Sequence, residues 1–187
     1  MEKVTGDLKD IKPGSICFCW GTGILGKIIA WYQKWETGAS DTPSHVQIYF
    51  GAGSWTCVSA ESNGVKTVSL NASLEKGHKV EIYSFNKMTV EQLQDLKSFA
   101  YSRVNIVPYD FLGLAAFLGK MVFGQMGPHE TFANFCSELV ADCFGEINVK
   151  IVSKSKVKST DQTPGAQYEY ISKSSDWTLD YSYDNLK

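Results

Sequence analysis

The stretch SHVQIYFGAGSWTCVSAESNG, residues 44 to 64, contains two runs in which apolar and other residues alternate, separated by a glycine-rich segment. Alternation with a period of two is typical of a β-strand with one face against a core. A short link containing glycine between two such runs predicts a β-hairpin. In the first run one face would hold Val46, Ile48 and Phe50, and the other would hold His45, Gln47 and Tyr49.

The pairing register of this hairpin follows from the hydrophobic pattern. If residues 51 to 55 form the loop, Ile48 lies opposite Val58 and His45 lies opposite Glu61. Directly opposed Cβ atoms are about 4.5 to 5.5 Å apart, so the Glu61 carboxylate can accept a hydrogen bond from one imidazole nitrogen. A slip of one residue would put Glu61 on the other face. The alternative interpretation is that His45 only begins a strand and that Glu61 is a solvated turn residue.

A second informative stretch, NFCSELVADCFG at residues 134 to 145, predicts a helix with Asn134 as its N-cap. Cys136 then lies in the first turn, where unpaired amide hydrogens and the positive end of the helix dipole stabilise a thiolate. Val140 and Cys143 follow at spacings of four and seven residues, so this stripe faces the core. We therefore expect Cys136 to be a nucleophile at the exposed end of the stripe and Cys143 to be a packing residue.

The remaining cysteines, Cys17, Cys19 and Cys57, lie in strand patterns where no helix dipole assists them, and we expect them to fill the core. The chain has five cysteines, an odd number without the spacing of a disulfide framework. No secretory signal is visible at the start of the sequence, so we expect a cytoplasmic or otherwise reducing compartment. Only one residue separates Cys17 from Cys19, whereas zinc-binding cysteine pairs usually have about two to four residues between them. No metal site is therefore predicted.

Three histidines compete as the base for Cys136. His78 lies between a glycine and a lysine, at what the sequence predicts to be a wet strand end. His129 precedes Cys136 by only seven residues, but it follows a Gly-Pro pair and a loop would hold it loosely. The strand residue His45 is the preferred base.

Composition limits the function classes. A chain of 187 residues, 43% of them hydrophobic, can bury one sizeable core, and we expect one catalytic domain over residues 1 to 187. The net charge of -2 and the pI of 5.9 give no basic surplus for binding nucleic acid or anionic lipid. The apolar segment 111 to 124 is too short for a membrane span and contains Lys120, so it predicts a buried helix. The oligomeric state stays open.

The stretch GTGILGK, residues 21 to 27, matches the spacing of a phosphate-binding loop. Ile28 stands where that motif needs a Ser or Thr hydroxyl to hold magnesium, so we interpret the segment as a glycine turn before a helix. No nucleotide or other cofactor is expected.

The segment from about residue 150 onward predicts an irregular or loosely strand-like tail. The same periodicities predict further strands and helices before it. The predicted strands are 15 to 20, 65 to 70 and 78 to 85, and the predicted helices are 23 to 35, 89 to 104 (with Thr89 as cap) and 109 to 123.

Taken in order, four segments resemble the permuted NlpC-type, YiiX-like branch of the papain-like cysteine hydrolases. They are SHVQIYFG (44 to 51), SAESNGV (59 to 65), VPYDFLG (107 to 113) and NFCSELV (134 to 140). Their order is informative, because in the permuted branch the strand histidine precedes the helix cysteine, as it does here. The resemblance spans about residues 8 to 145.

The resemblance implies an α+β, papain-like fold in which an antiparallel sheet packs against helices and the nucleophile lies at a helix N-terminus. It implies that Cys136 is the nucleophile, His45 the base and Glu61 the third polar residue. Tyr109 would stand near the site, and we expect Ser137 to contribute to substrate binding. At position 47 a small residue is commoner in this family. The larger Gln47 would narrow the cleft or add a hydrogen bond.

The function implied is a cysteine hydrolase that cleaves an amide bond through a thioester acyl-enzyme, with a cell-wall peptide as one candidate substrate. The expected partner is a peptide, amide or acyl-containing substrate. Two alternatives stay open: a lipid acyltransferase or thioesterase of the same fold, and a catalytically inactive binding module.

Overall fold

The structure is a computed structural model, and it describes five ranges of the chain: residues 2–21, 41–51, 56–107, 136–153 and 163–185. The helices predicted at 23 to 35 and 109 to 123 lie outside these ranges, as do Tyr109, His129 and Asn134.

A seven-stranded, fully antiparallel sheet forms the centre of the fold, with strand order β1-β7-β6-β2-β3-β4-β5. The strands are β1 (Glu2–Thr5), β2 (Ser15–Gly21), β3 (His45–Gly51), β4 (Thr56–Glu61), β5 (Gly64–Ser69), β6 (Gly77–Phe85) and β7 (Trp177–Asn185).

Four described α-helices accompany the sheet: α1 (Leu70–Lys76), α2 (Val90–Arg103), α3 (Cys136–Glu146) and α4 (Pro164–Lys173). A 3₁₀ turn covers Leu8–Asp10. The sequence did not predict the short helix α1. The predicted threonine cap of α2 is confirmed, since the Thr89 hydroxyl accepts a hydrogen bond from the amide of Gln92 and the Gln92 side chain accepts one from the Thr89 amide.

Both faces of the sheet are buried, and each face has its own core. The first core lies between the sheet and helices α2, α3 and α4, and it includes Phe18, Ile48 and Phe144. The second core lies on the opposite face, beneath α1, and includes Cys17, Cys57 and Leu70. The predicted α+β class is therefore confirmed.

The register of the central hairpin agrees with the hydrophobic pattern. Ile48 pairs with Val58 and Tyr49 pairs with Cys57, as predicted, before the ladder shifts at Gly51. This register, carried toward the start of β3, sets Glu61 opposite His45. The two residues are placed by ordinary strand pairing.

The prediction of an irregular or loosely strand-like tail from about residue 150 is corrected in part, because its described residues include a helix as well as a regular strand. The tail contains helix α4, which begins after the N-cap Thr163, and strand β7, which pairs with both β6 and β1. Strand β7 thus lies inside the sheet, between two partners. Within the described ranges, no helix has the length and apolar character needed to cross a membrane.

Trp177, at the start of β7, offers a test of how much the tail contributes to stability. It is 6% exposed, and its ring packs on Phe85 and Phe144 with centroids 5.3 and 5.6 Å away. We expect Trp177→Ala to lower the free energy of unfolding by about 3 to 5 kcal/mol, because it removes a large buried ring. Denaturant unfolding followed by circular dichroism measures this loss. The same truncation at Leu179, which is 43% exposed on the same strand, should cost less than about 1 kcal/mol. Equal losses in the two variants would contradict a structural role for the tail.

Candidate active site

Helix α3 presents Cys136 as its first residue and packs on strands β3 and β4. An amphipathic stripe holds it there, because Val140 and Cys143 are fully buried in the first core, as the spacing predicted. Cys136 itself is 6% exposed, so the expectation of an exposed edge is corrected. Cys136 belongs to the first core, among other buried residues of α3. The positive end of the helix dipole still acts on Cys136.

His45, the first residue of β3, lies against Cys136. It pairs across the sheet with Cys19 of β2, and its side chain is 27% exposed. Burial by itself would lower the pKa of His45. The charge of Cys136 and a hydrogen bond to it, together with the hydrogen bond and charge of Glu61, outweigh burial and raise the pKa of His45 to about 10. At neutral pH the imidazole is therefore protonated.

Ser59 links His45 to Glu61. The Ser59 hydroxyl oxygen lies 2.8 Å from Nε2 of His45, and the hydroxyl donates to Oε1 of Glu61 at 2.8 Å. Nε2 and the same carboxylate oxygen are 3.5 Å apart. Because Nε2 is engaged by this pair, Nδ1 is the ring nitrogen left for Cys136.

Glu61 is positioned by the turn that follows it. Glu61 ends β4 and pairs with Gly64, so that residues 62 and 63 form a two-residue turn. Gly64 has a φ of 104°, in the region that favours glycine. Since a two-residue turn fixes the register of β4 against β5, the backbone of Glu61 is held at the end of β4.

The other four cysteines are buried thiols in the two cores. Burial raises the pKa of Cys143 to about 12, and burial also raises the pKa of Cys57. The pKa of Cys19 is raised by its hydrogen bond with Cys17, 3.7 Å away, and the same hydrogen bond lowers the pKa of Cys17. All four fill the core, as predicted, and Cys136 is the cysteine that shares a hydrogen bond with His45.

The structure also describes two further predicted site residues, Gln47 and Ser137. Gln47 is fully buried, and its amide donates to the Ser73 hydroxyl at 2.9 Å and to the Cys17 sulfur at 3.6 Å. A role of Gln47 in a cleft stays a prediction. Ser137 is buried beside Cys136 in the first turn of α3. Tyr109 lies outside the described residues.

Sequence reasoning missed Ser59 and Gln167. Strand alternation could have found Ser59, since it precedes Glu61 by two residues and so shares the face of Glu61 and His45. No local signal marks Gln167, a fully buried residue of α4 whose amide donates to the Ser137 carbonyl at 2.7 Å. The tail thereby holds the first turn of the helix that carries Cys136.

Comparison with known proteins gives the same fold. A family described as permuted papain-like amidase enzymes, YaeF/YiiX, matches residues 10–179. The crystal structure of metalloprotein yiiX from Escherichia coli O157:H7 superposes with a TM-score of 0.63 at 15% identity, covering 91% of this chain and 96% of that one. No curated protein sequence matches the chain. The YiiX-like resemblance inferred from the order of the motifs is confirmed. The chain belongs to the YaeF/YiiX family of permuted papain-like amidases, which makes it a cysteine amidase at the level of its family.

Proposed function

We propose that the protein hydrolyses an amide bond by covalent catalysis, with Cys136 as nucleophile, His45 as acid and base, and Glu61 as the residue that orients the imidazole. One observation carries this proposal. Cys136 begins a helix and shares a hydrogen bond with His45, whose other side is held by Ser59 and Glu61. This is the arrangement of an activated nucleophile, a base and a group that orients the base.

The reaction begins with attack of the Cys136 thiolate on the carbonyl carbon of the amide. Backbone N–H groups at the start of α3 stabilise the negative charge that develops on the carbonyl oxygen. The protonated His45 gives its proton to the leaving nitrogen as the C–N bond breaks, which leaves a thioester and an amine. His45 then accepts a proton from water as the water oxygen attacks the thioester, and the acid and the Cys136 thiolate are released.

Because the family is one of amidases, the substrate contains an amide bond. We propose a peptide amide, such as a bond in a cell-wall peptide, as the substrate class. The solved relative yiiX is described as a metalloprotein. In the described part of this chain, no three His, Cys, Asp or Glu side chains converge as metal ligands. No step of the proposed reaction uses a metal.

We further propose that residues 1 to 187 act as one catalytic domain in a reducing compartment. Strand β7 and Gln167 support the first point, because the tail completes the sheet and contacts the nucleophile helix. The second point is supported by five free cysteines.

Two electrophilic probes test the proposed function: a peptidyl vinyl sulfone and a long-chain acyl vinyl sulfone of equal warhead reactivity. We expect the peptidyl probe to modify Cys136 at least about tenfold faster than the acyl probe, since an amidase cleft binds the peptide part. Mass spectrometry of proteolytic fragments identifies the modified cysteine, and Cys136→Ala is the control. Faster reaction of the acyl probe would favour the lipid acyltransferase or thioesterase. Failure of both probes would favour an inactive binding module.

A further inference from the structure

Ser59 has a position that the proposed reaction does not by itself require. Its side chain is fully buried, and its hydroxyl lies between the imidazole of His45 and the carboxylate of Glu61. We propose that Ser59 is a positioning residue through which Glu61 acts on His45, so that the site is a four-membered chain from Cys136 to Glu61. The effect on catalysis rests on the proposed function, whereas the hydrogen-bonded chain does not.

The Ser59 hydroxyl determines which groups donate and which accept in this series of hydrogen bonds. A serine hydroxyl has one hydrogen to donate, and here it donates to the Glu61 carboxylate. The oxygen of Ser59 can then only accept from Nε2, so Nε2 of His45 carries a proton in both the neutral and the charged imidazole. Nδ1 is left as the atom that exchanges a proton with Cys136. Ser59 thus selects the tautomer that suits the nucleophile.

The distances favour this path over a direct contact. His45 and Glu61 are separated by 3.5 Å at their nearest atoms, whereas both hydrogen bonds of Ser59 are 2.8 Å long. Hydrogen bonds of this type become weak beyond about 3.2 Å. Both contacts of Ser59 are therefore shorter than the direct separation of His45 and Glu61.

Burial keeps water from competing for the hydrogen bonds of Ser59. Glu61 is 40% exposed at its side chain, so a direct carboxylate contact would compete with water. Ser59 is closed to solvent, so its hydroxyl stays on its two partners. The strand register explains the position, because Ser59 shares the face of Glu61 and lies diagonally across the β3/β4 pair from His45.

The first measurement uses the full chain in a Cys136→Ala background, where no thiolate contributes to the titration. Nuclear magnetic resonance of labelled histidines gives the pKa and the tautomer of His45, whose signals are assigned by their loss in His45→Gln. We expect Ser59→Ala to lower the pKa of His45 by roughly one unit, because the charged ring loses an acceptor that it binds more strongly than the neutral ring does. We also expect the tautomers of the neutral ring to mix, because the hydrogen bond that fixes the proton on Nε2 is gone. Ser84→Ala is the matched control, since Ser84 is a buried strand serine that also donates to a carboxylate, that of Asp180.

The second measurement compares the pKa of His45 in Ser59→Ala, in Glu61→Gln and in the double variant, again in the Cys136→Ala background. Because both replacements break the same series of hydrogen bonds, we expect their combined pKa shift to be smaller than the sum of the two single shifts. In the unaltered protein, alkylation of Cys136 by iodoacetamide at pH 6 is followed separately by mass spectrometry.

The proposal is overturned if Ser59→Ala changes the titration of His45 no more than Ser84→Ala does, or if the pKa shifts of Ser59→Ala and Glu61→Gln simply add. Should Ser59→Ala not fold, Ser59→Thr and Ser59→Val form a second pair of equal shape that differs in the hydroxyl. We expect the threonine variant to keep the tautomer and the valine variant to lose it, and identical behaviour overturns the proposal. Slow alkylation of Cys136 in the unaltered protein would instead count against the proposed function. The titration of His45 would still test the hydrogen bonds of Ser59 with His45 and Glu61.

Discussion

Replacement of Cys136 by alanine is expected to lower kcat/KM for amide hydrolysis by at least about 10⁴-fold, with the fold intact. The physical reason is that the thiolate is the group that forms the bond to the substrate carbon, and no neighbouring side chain replaces it. The rate is measured with the peptide amide that the probe experiment selects. Circular dichroism and thermal unfolding of the variant check that the loss is chemical.

The matched control is Cys143→Ala, seven residues further along the same helix. Cys143 is fully buried in the first core and its thiol is held protonated by burial. Its loss should cost stability of about 1 kcal/mol and leave the rate within about threefold. A Cys136→Ala enzyme that keeps more than a tenth of the activity would refute nucleophilic catalysis by this residue.

Replacement of His45 by glutamine is expected to reduce the rate of Cys136 alkylation at pH 6 about 100-fold. In the unaltered protein the pKa of His45 is raised to about 10, above its ordinary value, so the imidazolium persists from acidic pH up to that value. The thiolate keeps its cationic partner over this range, and the alkylation rate should change little between pH 7 and 9. Without the imidazole, the thiol should behave like a free cysteine with a pKa of about 8.5, which is largely protonated at pH 6.

The pH profile distinguishes an ion pair from simple accessibility. We expect the rate in His45→Gln to rise about tenfold per pH unit between pH 6 and 8, because the thiolate fraction does so below the pKa of a free thiol. His129→Gln is the comparison for the histidine that competed with His45 on sequence grounds, and it should keep the flat profile. Parallel profiles for the unaltered protein and His45→Gln would show that His45 does not govern the thiol.

The hairpin and the nucleophile helix were predictable because their signals are local. Alternating residues between His45 and Glu61 set the strand faces, and the core can accept only one register of such a pair. The spacing of Cys136, Val140 and Cys143 likewise fixed the buried stripe of α3. The structure brings Cys136, His45 and Glu61 together as these patterns predicted.

The tail shows what a local signal leaves open. Strand β7 reads WTLDYSYDN, in which apolar or aromatic residues alternate with polar ones as far as Asp184, so its pattern indicates a strand but not the strands with which it pairs. It is ordered by pairing with β6 and β1, which lie about a hundred or more residues away in the chain. Strand pairing over such a separation depends on the partners being present, and β-propensity alone does not predict it.

By itself, the sequence determined which strand carries the histidine, which helix carries the cysteine and which carboxylate faces the imidazole, because side-chain periodicity assigns residues to faces. The tertiary structure decided that Ser59 stands between His45 and Glu61, that Cys136 is nearly covered, and that Gln167 of the tail holds the helix of the nucleophile. These features depend on distances between segments far apart in the chain. A pattern within one segment carries no information about such distances.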